Sequence, residues 1–257
     1  MKFLVRFVLN NIPRPVLIRL SYVFNKISKF WYRGNNVECN ICGSTYSKML
    51  PYGYINVRQN ALCPNCLSLE RHRLIWLYLH EETNIITDKN KILHIAPEQC
   101  FFKRFKKLEN LDYVTADIES PLADFKCDIQ DMPFKENEFD MVMCNHVLEH
   151  VDDDKKAMKE ILRVLKPGGF AILLVPQDFE VETTFEDPSI TDPKERNKVF
   201  GQYDHVRLYG RDYPNRLKEQ GFEIPETNFL DTIPQDKRER YCLLQKEFMF
   251  GYKKPLK

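Results

Sequence analysis

The chain has 257 residues, enough for one large domain or for one domain with a small appendage. Hydrophobic residues make up 43% and charged residues 29%, which argues against a disordered chain and against a coiled coil. The net charge of +1 argues against nucleic acid as a general partner. No run reaches the roughly 18 apolar residues that a membrane-spanning helix requires.

Residues 1–36 are predicted to form a basic amphipathic helical segment. Residues 1–37 carry seven basic side chains and no acidic one, which leaves 1 − 7 = −6 for the rest of the chain. From Val16 the apolar residues recur at spacings of three and four, between basic residues, as on a helix with one apolar face. This helix either lies at an anionic membrane surface or docks on the protein's own body, and both interpretations stay open. Since no cleavage site for secretion follows, we expect a cytoplasmic protein, in peripheral contact with the inner face of the membrane if the first interpretation holds.

Two Cys-x-x-Cys pairs predict a metal site in residues 37–67. Cys39 and Cys42 form the first pair, Cys63 and Cys66 form the second, and twenty residues separate the pairs. Two residues between paired cysteines let the backbone curl so that both sulfurs occupy vertices of a tetrahedron. In a reducing compartment this spacing predicts a Zn²⁺ site and not disulfides. Because four ligands close the coordination shell, we expect the zinc to stabilise a zinc ribbon and to take no part in catalysis.

Residues 68–257 show the rhythm of an α/β domain, and Ser68 is placed to begin its first helix. Short apolar runs, mostly with helix-length segments between them, are typical of parallel strands buried on both faces. Five such runs cover residues 91–96, 113–117, 125–128, 139–144 and 169–175. Two further candidates, 222–229 and 243–253, are expected to form a hairpin. The predicted fold class is therefore α/β, with a doubly wound, seven-stranded, mostly parallel sheet behind the zinc ribbon and the basic helix.

The clearest helix in this domain is predicted to begin with Asp152–Asp154, whose acidic residues suit a first helical turn. It continues to about residue 165, and the Pro-Gly-Gly sequence of 167–169 is expected to stop it. A second helix is predicted over 212–220. Between the fifth strand and this helix lies a long polar insert, residues 177–210, which we interpret as a substrate lid.

Asp117, Asp128, the sequence His-Val-Leu-Glu-His at 146–150 and the sequence Val-Leu-Lys-Pro-Gly-Gly at 164–169 follow one another at characteristic intervals. On these motifs, residues from about 67 to 253 resemble the class I S-adenosylmethionine-dependent methyltransferases. The resemblance implies that S-adenosylmethionine lies across the carboxyl ends of the first strands, where ligands of such sheets generally bind.

The resemblance also implies roles for individual residues. Asp117 would accept hydrogen bonds from both ribose hydroxyls, a charge-assisted contact that a neutral side chain makes less well. Asp128 would accept from the adenine amino group, with the backbone of Ile129 beside the ring. Asn145 and His146 would face the methionine half of the cofactor. The alternative for either aspartate is a helix-capping or solvated carboxylate.

One departure concerns the turn after the first strand, which is glycine-rich in the family so that the backbone can approach the cofactor. Residues 93–100 hold no glycine. Ala96 is a small substitute, and Glu98 places a carboxylate where a turn is expected. Either His94 or Glu98 contacts the amino acid moiety directly, Glu98 pairing with its ammonium group, or the site has degenerated. The aspartates retained for ribose and adenine favour the first hypothesis.

The insert contains His205, a side chain that titrates near neutral pH and suits a general base. Methyl transfer requires in-line attack, so the protein must hold the acceptor close to the methyl carbon. We therefore predict that His205 activates an acceptor hydroxyl, the alternative being that His205 and Asp204 brace the lid.

The predicted function is methyl transfer to an oxygen of a small-molecule, glycan or lipid-linked acceptor. The basic segment is the sole support for a lipid-linked acceptor. Two rival hypotheses stay open. One is an RNA methyltransferase, since zinc ribbons often bind nucleic acid. The other is a non-catalytic binding or scaffold module with a degenerate methyltransferase fold.

Overall fold

A computed structural model describes residues 30–53, 57–120 and 123–256 of the chain. These residues divide into two compact units. The first comprises the described residues up to Leu77 together with Ile233–Gln245, and the second comprises Tyr78–Thr232 together with residues 246–256. The predicted boundaries at residues 36 and 67 stay a prediction. The basic segment lies outside the described residues up to position 29.

Twelve strands lie within the described residues. They are β1 (Arg33–Cys39), β2 (Ser44–Tyr46), β3 (Leu50–Tyr52), β4 (Arg58–Leu62), β5 (Asn90–Ile95), β6 (Leu111–Asp117), β7 (Phe125–Lys126), β8 (Phe139–Cys144), β9 (Leu165–Ile172), β10 (Phe185–Glu186), β11 (Arg207–Leu208) and β12 (Tyr252–Lys253). Since β1 begins at Arg33, the last residues of the predicted helical segment 1–36 are extended.

Seven helices lie entirely within the described residues. They are α1 (Glu70–Glu81), α2 (Gln99–Phe105), α3 (Asp154–Val164), α4 (Pro193–Val199), α5 (Tyr213–Glu219), α6 (Phe229–Thr232) and α7 (Gln235–Arg240). Helix α1 begins just behind Ser68, as predicted. None of these helices has the length and apolar character needed to cross a membrane.

The first unit contains two antiparallel ribbons, β1 with β2 and β3 with β4. Each ribbon has a strand that adjoins a cysteine pair in the sequence: Cys39 ends β1, and Cys63 follows β4. Gly43 closes the first turn with a positive φ of 63°, and its N–H donates to the carbonyl of Cys39 over 2.8 Å. A residue without a Cβ adopts this conformation at little cost, which explains the glycine behind the first pair.

Arg73 on α1 is fully buried in the first unit. Its guanidinium donates to the carbonyls of Ser68 at 2.9 Å and Ala61 at 3.1 Å. It also donates to the carbonyls of Tyr241 at 2.6 Å and Cys242 at 2.8 Å. One side chain thus satisfies backbone acceptors on three separate segments, which ties residues 233–245 to the ribbon.

Replacing Arg73 with lysine is expected to lower the free energy of unfolding of the first unit by about 2–3 kcal/mol, since one ammonium group cannot replace this planar fork of donors. Both tryptophans, Trp31 and Trp76, lie in the first unit, so their fluorescence during denaturant unfolding reports on it. The exposed Arg33→Lys variant is the control. Equal midpoints for the two variants would contradict the proposed role of Arg73.

The second unit is built on a six-stranded sheet with the order β12-β9-β8-β5-β6-β7. Neighbouring strands from β7 to β9 are parallel, and β12 pairs with β9 in the antiparallel sense. Helix α2 connects β5 with β6, and α3 connects β8 with β9. The direction of winding reverses between β5 and β8, and clefts at such a reversal open at the carboxyl ends of the strands. The predicted mostly parallel α/β sheet is confirmed.

The sheet has six strands and not the predicted seven. The candidate at 222–229 contributes one isolated antiparallel bridge, between Glu223 and Lys253. Pro225 interrupts this segment, and proline cannot donate to a strand ladder. The candidate at 243–253 shortens to β12. The expected antiparallel pairing of the two segments survives only at that bridge.

Helix α3 has the predicted acidic start. Asp153 is its N-cap, with a side chain that accepts from the N–H of Lys156 over 2.9 Å. The helix ends at Val164, ahead of the Pro-Gly-Gly sequence, which lies inside β9. Its apolar side faces the core through Ala157, Ile161 and Val164, which are all fully buried. The loop before α3 carries the sequence His-Val-Leu-Glu-His, so this packing holds that loop in place.

Candidate functional site

A cavity of about 500 Å³ lies at the carboxyl ends of β5, β6 and β8 in the second unit. Its volume falls within the usual range for small-molecule sites, about 300–1,000 Å³. Five of the predicted cofactor residues line it, namely Ala96, Asp117, Asp128, Ile129 and His146. A cavity of about 680 Å³ in the first unit contains none of the predicted site residues. Sequence reasoning and topology therefore identify the same cavity as the candidate cofactor site.

Ala96 occupies the turn after β5 with a φ of +49°. Glycine adopts this left-handed conformation more readily than other residues do, and it costs those residues about 1–2 kcal/mol. The backbone therefore retains the conformation of a glycine turn although the glycine is absent. Alanine adds only a Cβ, so the backbone at the cavity stays accessible.

Asp117 ends β6 and lines the cavity. Its Oδ1 accepts from the N–H groups of Glu119 and Ser120, both over 2.7 Å. These two bonds fix the carboxylate and leave Oδ2 as the oxygen with free acceptor capacity among the described residues. The geometry fits a contact to ribose hydroxyls made chiefly through one oxygen.

Asp128 is exposed at the cavity, whereas Ile129 beside it is buried. Oδ1 of Asp128 accepts from the N–H of Gln130 over 2.8 Å, and the side-chain amide of Gln130 lies 3.2 Å from both carboxylate oxygens. A cofactor amino group would therefore meet a carboxylate already held in position by its neighbour. Ile129 supplies the apolar wall that an adenine ring requires.

His94, Glu98 and Asn145 do not line the cavity but form a hydrogen-bonded chain with one another. Nε2 of His94 lies 2.6 Å from Oε2 of Glu98, and Nδ1 lies 2.8 Å from the hydroxyl of Tyr113. The Asn145 amide donates to Oε1 of Glu98 over 3.4 Å. Glu98 is thus bound by two protein partners on one side.

Burial, together with the charge of Glu98, raises the pKa of Tyr113, so its hydroxyl stays protonated. The Tyr113 hydroxyl can therefore donate to Nδ1 of His94, and in the tautomer that accepts this bond the ring proton lies on Nε2, which donates to Glu98. His94 is fully buried and therefore positions Glu98. The predicted pairing of Glu98 with the ammonium group of the cofactor stays a prediction.

A second polar cluster, which we call the His–Glu cluster, consists of His146, Glu149, His150 and His205. Nδ1 of His146 and Nε2 of His150 lie 3.4 Å and 3.9 Å from Oε1 of Glu149. The rings of His150 and His205 meet edge to face, with centroids 4.8 Å apart. His146 and His150 line the cavity, whereas His205 lies outside its lining.

His205 is buried, and its Nδ1 lies 3.2 Å from the carbonyl of Phe200. Burial lowers the pKa of His205, although the charge of Glu149 acts in the opposite direction. The imidazole is therefore neutral at pH 7. Its catalytic role stays a prediction, and His150 stands between it and the cavity.

The sequence analysis named Glu149 only within the motif at 146–150 and Asp204 only as a brace of the lid, and it missed the contacts that both residues make. Glu149 is 1% exposed and occupies the centre of the His–Glu cluster. Its spacing from His146 and its position beside His150 were the available signal. Asp204 lines the cavity and lies 3.5 Å from Nδ1 of His150, a contact across 54 residues that no local pattern indicates.

The four predicted metal-ligating cysteines converge in the first unit. Their sulfurs lie within 4.8 Å of one another, with 3.6 Å between Cys39 and Cys66 and 3.7 Å between Cys42 and Cys63. These separations exceed a disulfide bond of about 2.05 Å but match the spacing of sulfurs around one tetrahedral ion. The donor set and its geometry fit Zn²⁺.

Residues 93–173 match the family model described as a methyltransferase domain. The chain is 33% identical over 114 residues to an uncharacterized protein of Methanocaldococcus jannaschii, covering 43% of this chain and 52% of that protein. It is 49% identical over 47 residues to demethylmenaquinone methyltransferase of Staphylococcus carnosus, covering 18% of this chain and 20% of that enzyme.

Among solved structures, the chain resembles phosphoethanolamine N-methyltransferase 2 of Haemonchus contortus in complex with S-adenosyl-L-methionine. The TM-score is 0.45 at 17% identity, and the likeness covers 70% of this chain and 52% of that chain. The chain thus spans about half or less of the length of these relatives. The family match at 93–173 begins within β5 and contains β6 and β8, so it includes the carboxyl ends of the three strands that carry the cavity.

Proposed function

We propose that this chain is a class I S-adenosylmethionine-dependent methyltransferase and that it methylates an oxygen of a small-molecule, glycan or lipid-linked acceptor. One observation carries the proposal. Ala96, Asp117, Asp128, Ile129 and His146 come from four segments of the chain and line one cavity at the carboxyl ends of the sheet. Asp117 suits the ribose, Asp128 and Ile129 suit the adenine, and His146 suits the sulfonium end of the cofactor.

S-Adenosylmethionine supplies a methyl group on a positively charged sulfur. In the proposed transfer the acceptor oxygen would form a bond to the methyl carbon while the carbon–sulfur bond breaks, and the electron pair would stay on sulfur. The products are a methyl ether, S-adenosylhomocysteine and a proton. The task of the protein is to hold the acceptor in line and to take up its proton.

The histidines at the cavity support an oxygen acceptor, because a hydroxyl must lose a proton as it is methylated. His146 and His150 line the cavity, and the carboxylate of Asp204 lies 3.5 Å from Nδ1 of His150. These groups can orient a hydroxyl and hold its proton. His205, the predicted base, lies behind His150 and would act on the acceptor only through it.

The choice among acceptor classes is supported by the sequence of the basic segment. Seven basic residues without an acidic one favour contact with an anionic membrane, and hence a lipid-linked acceptor presented there. Binding to total RNA with a steep salt dependence would instead support the RNA methyltransferase hypothesis.

Calorimetry with S-adenosylmethionine tests the proposal against a non-catalytic scaffold. We expect the Asp117→Ala variant to bind the cofactor one to two orders of magnitude more weakly, because a charged acceptor of hydrogen bonds contributes about 1.5–3 kcal/mol. The control is Asp112→Ala at the opposite end of β6, whose carboxylate pairs with Lys91 at 3.4 Å. An unchanged dissociation constant for Asp117→Ala would place the cofactor elsewhere, and no binding by the wild type would favour the scaffold.

A further inference from the structure

Glu149, in the His–Glu cluster, carries a buried carboxylate whose hydrogen bonding is incomplete. It is 1% exposed, and its Oε2 has no hydrogen-bond partner among the described residues. An unsatisfied carboxylate oxygen costs free energy when it is buried, so such a group needs a partner of another kind. A positive ion is the partner that a buried carboxylate accepts most readily.

Two histidines face this carboxylate. One oxygen of Glu149 and one ring nitrogen each of His150 and His205 all lie within 4.8 Å of one another. Two imidazoles and one carboxylate form the ligand set of many catalytic zinc sites, in which a fourth position stays open. Thiolate-rich structural sites lack that open position, so this cluster differs in kind from the four cysteines.

The outer contacts of both histidines fit metal ligation. Nδ1 of His150 lies 3.4 Å from the carbonyl of Asp204, and Nδ1 of His205 lies 3.2 Å from the carbonyl of Phe200. In each case the carbonyl holds the ring proton on Nδ1, which leaves the lone pair on Nε2. Metal-binding histidines almost always donate their second N–H to a carbonyl or carboxylate in this way.

We propose that Glu149, His150 and His205 bind a Zn²⁺ ion beside the cofactor cavity, with its open coordination position directed to the acceptor hydroxyl. The role toward the acceptor rests on the proposed function. Zinc lowers the pKa of a bound water to about 7, and a bound hydroxyl is acidified for the same reason. The proton would leave to water as the acceptor oxygen bonds to the methyl carbon and the carbon–sulfur bond breaks. On this account His150 and His205 are both ligands, and neither acts as the base.

The test is a count of zinc in tag-free full-length protein after dialysis against excess Zn²⁺. We expect two zinc ions per chain for the wild type and one each for Glu149→Gln and His205→Gln. The control His80→Gln removes an exposed histidine outside the cluster and should retain two. Cys63→Ser should retain one, held by the His–Glu cluster. Cofactor affinity is measured by calorimetry on the same samples.

Equal zinc content in the wild type, Glu149→Gln and His205→Gln would overturn the inference. If one of these two variants fails to fold, the other decides the result. Zinc loss in both variants together with no cofactor binding by the wild type would keep the metal site and overturn the proposed function. Cofactor binding by the wild type together with unchanged zinc content in both variants would keep the proposed function and overturn the metal site.

Discussion

The Cys63→Ser substitution is expected to abolish zinc binding at the four cysteines and to unfold the first unit. Binding of structural zinc contributes about 10–16 kcal/mol in small zinc domains, more than the whole stability of many small domains. The sulfurs of Cys42 and Cys63 lie 3.7 Å apart, so the loss of one leaves an incomplete tetrahedron. Among the described residues of this unit, the two ribbons are separate two-stranded sheets, and no larger sheet joins them.

Elemental analysis measures the metal, and tryptophan fluorescence measures the unit, because Trp31 and Trp76 both belong to it. The matched control is Cys242→Ser, a cysteine of the same unit that is not part of the cluster. The control should keep its zinc and its unfolding midpoint. Wild-type protein purified without chelator and free of zinc would contradict the prediction.

The Asp154→Asn substitution is expected to destabilise the second unit by about 3–5 kcal/mol, the usual effect of removing one partner of a buried ion pair. Asp154 is 1% exposed and accepts from Arg216 at 2.6 Å and 2.7 Å and from the hydroxyl of Tyr209 at 2.7 Å. Arg207 lies 3.8 Å from the same carboxylate. An amide of equal size would leave two guanidinium groups to share the single, partly exposed carboxylate of Glu186, so one positive charge would lack a partner.

This buried network also connects the insert with the loop of the His–Glu cluster. Arg207 donates to the carbonyls of Leu148 and Val151, each over 2.6 Å, and to that of Asp152 over 2.8 Å. Hydrogen exchange measured by mass spectrometry should therefore show faster exchange in both segments of the Asp154→Asn variant. Asp153→Asn is the control, since asparagine is an equally good N-cap. Equal exchange in the two variants would refute the network.

The same carboxylate predicts a dependence on acid. Burial raises the pKa of Asp154, but the hydrogen bond from Arg216 and the charge of Arg207 outweigh it, so the pKa is lowered overall. A lowered pKa in the folded state stabilises the fold above the unfolded value of about 3.9. That contribution is lost as the pH falls through the folded pKa. Stability of the wild type should decline below about pH 4 more steeply than that of Asp154→Asn.

The sequence by itself predicted the fold class, the four cysteines that converge in the first unit and five residues that line one cavity in the second. Each of these depends on local information. Buried parallel strands need short apolar runs, a zinc knuckle needs two cysteines three positions apart, and Asp117 follows directly from the end of its strand. Sequence order and spacing carry such features, so no folded structure was needed to find them.

Only the tertiary structure decided which polar groups meet. It showed that Ala96 keeps a left-handed turn, that Glu98 is bound by His94 and Asn145, and that Glu149 lies among histidines. His150 and His205 are 55 positions apart, and Asp154 and Arg216 are 62 apart. Contacts of this kind depend on how elements pack. The strand count failed for a related reason, because Pro225 and the short β12 left the last pair only one bridge. The periodicity of a sequence indicates which secondary structure a segment favours in isolation. Long-range packing decides which hydrogen-bond donors and acceptors are buried together.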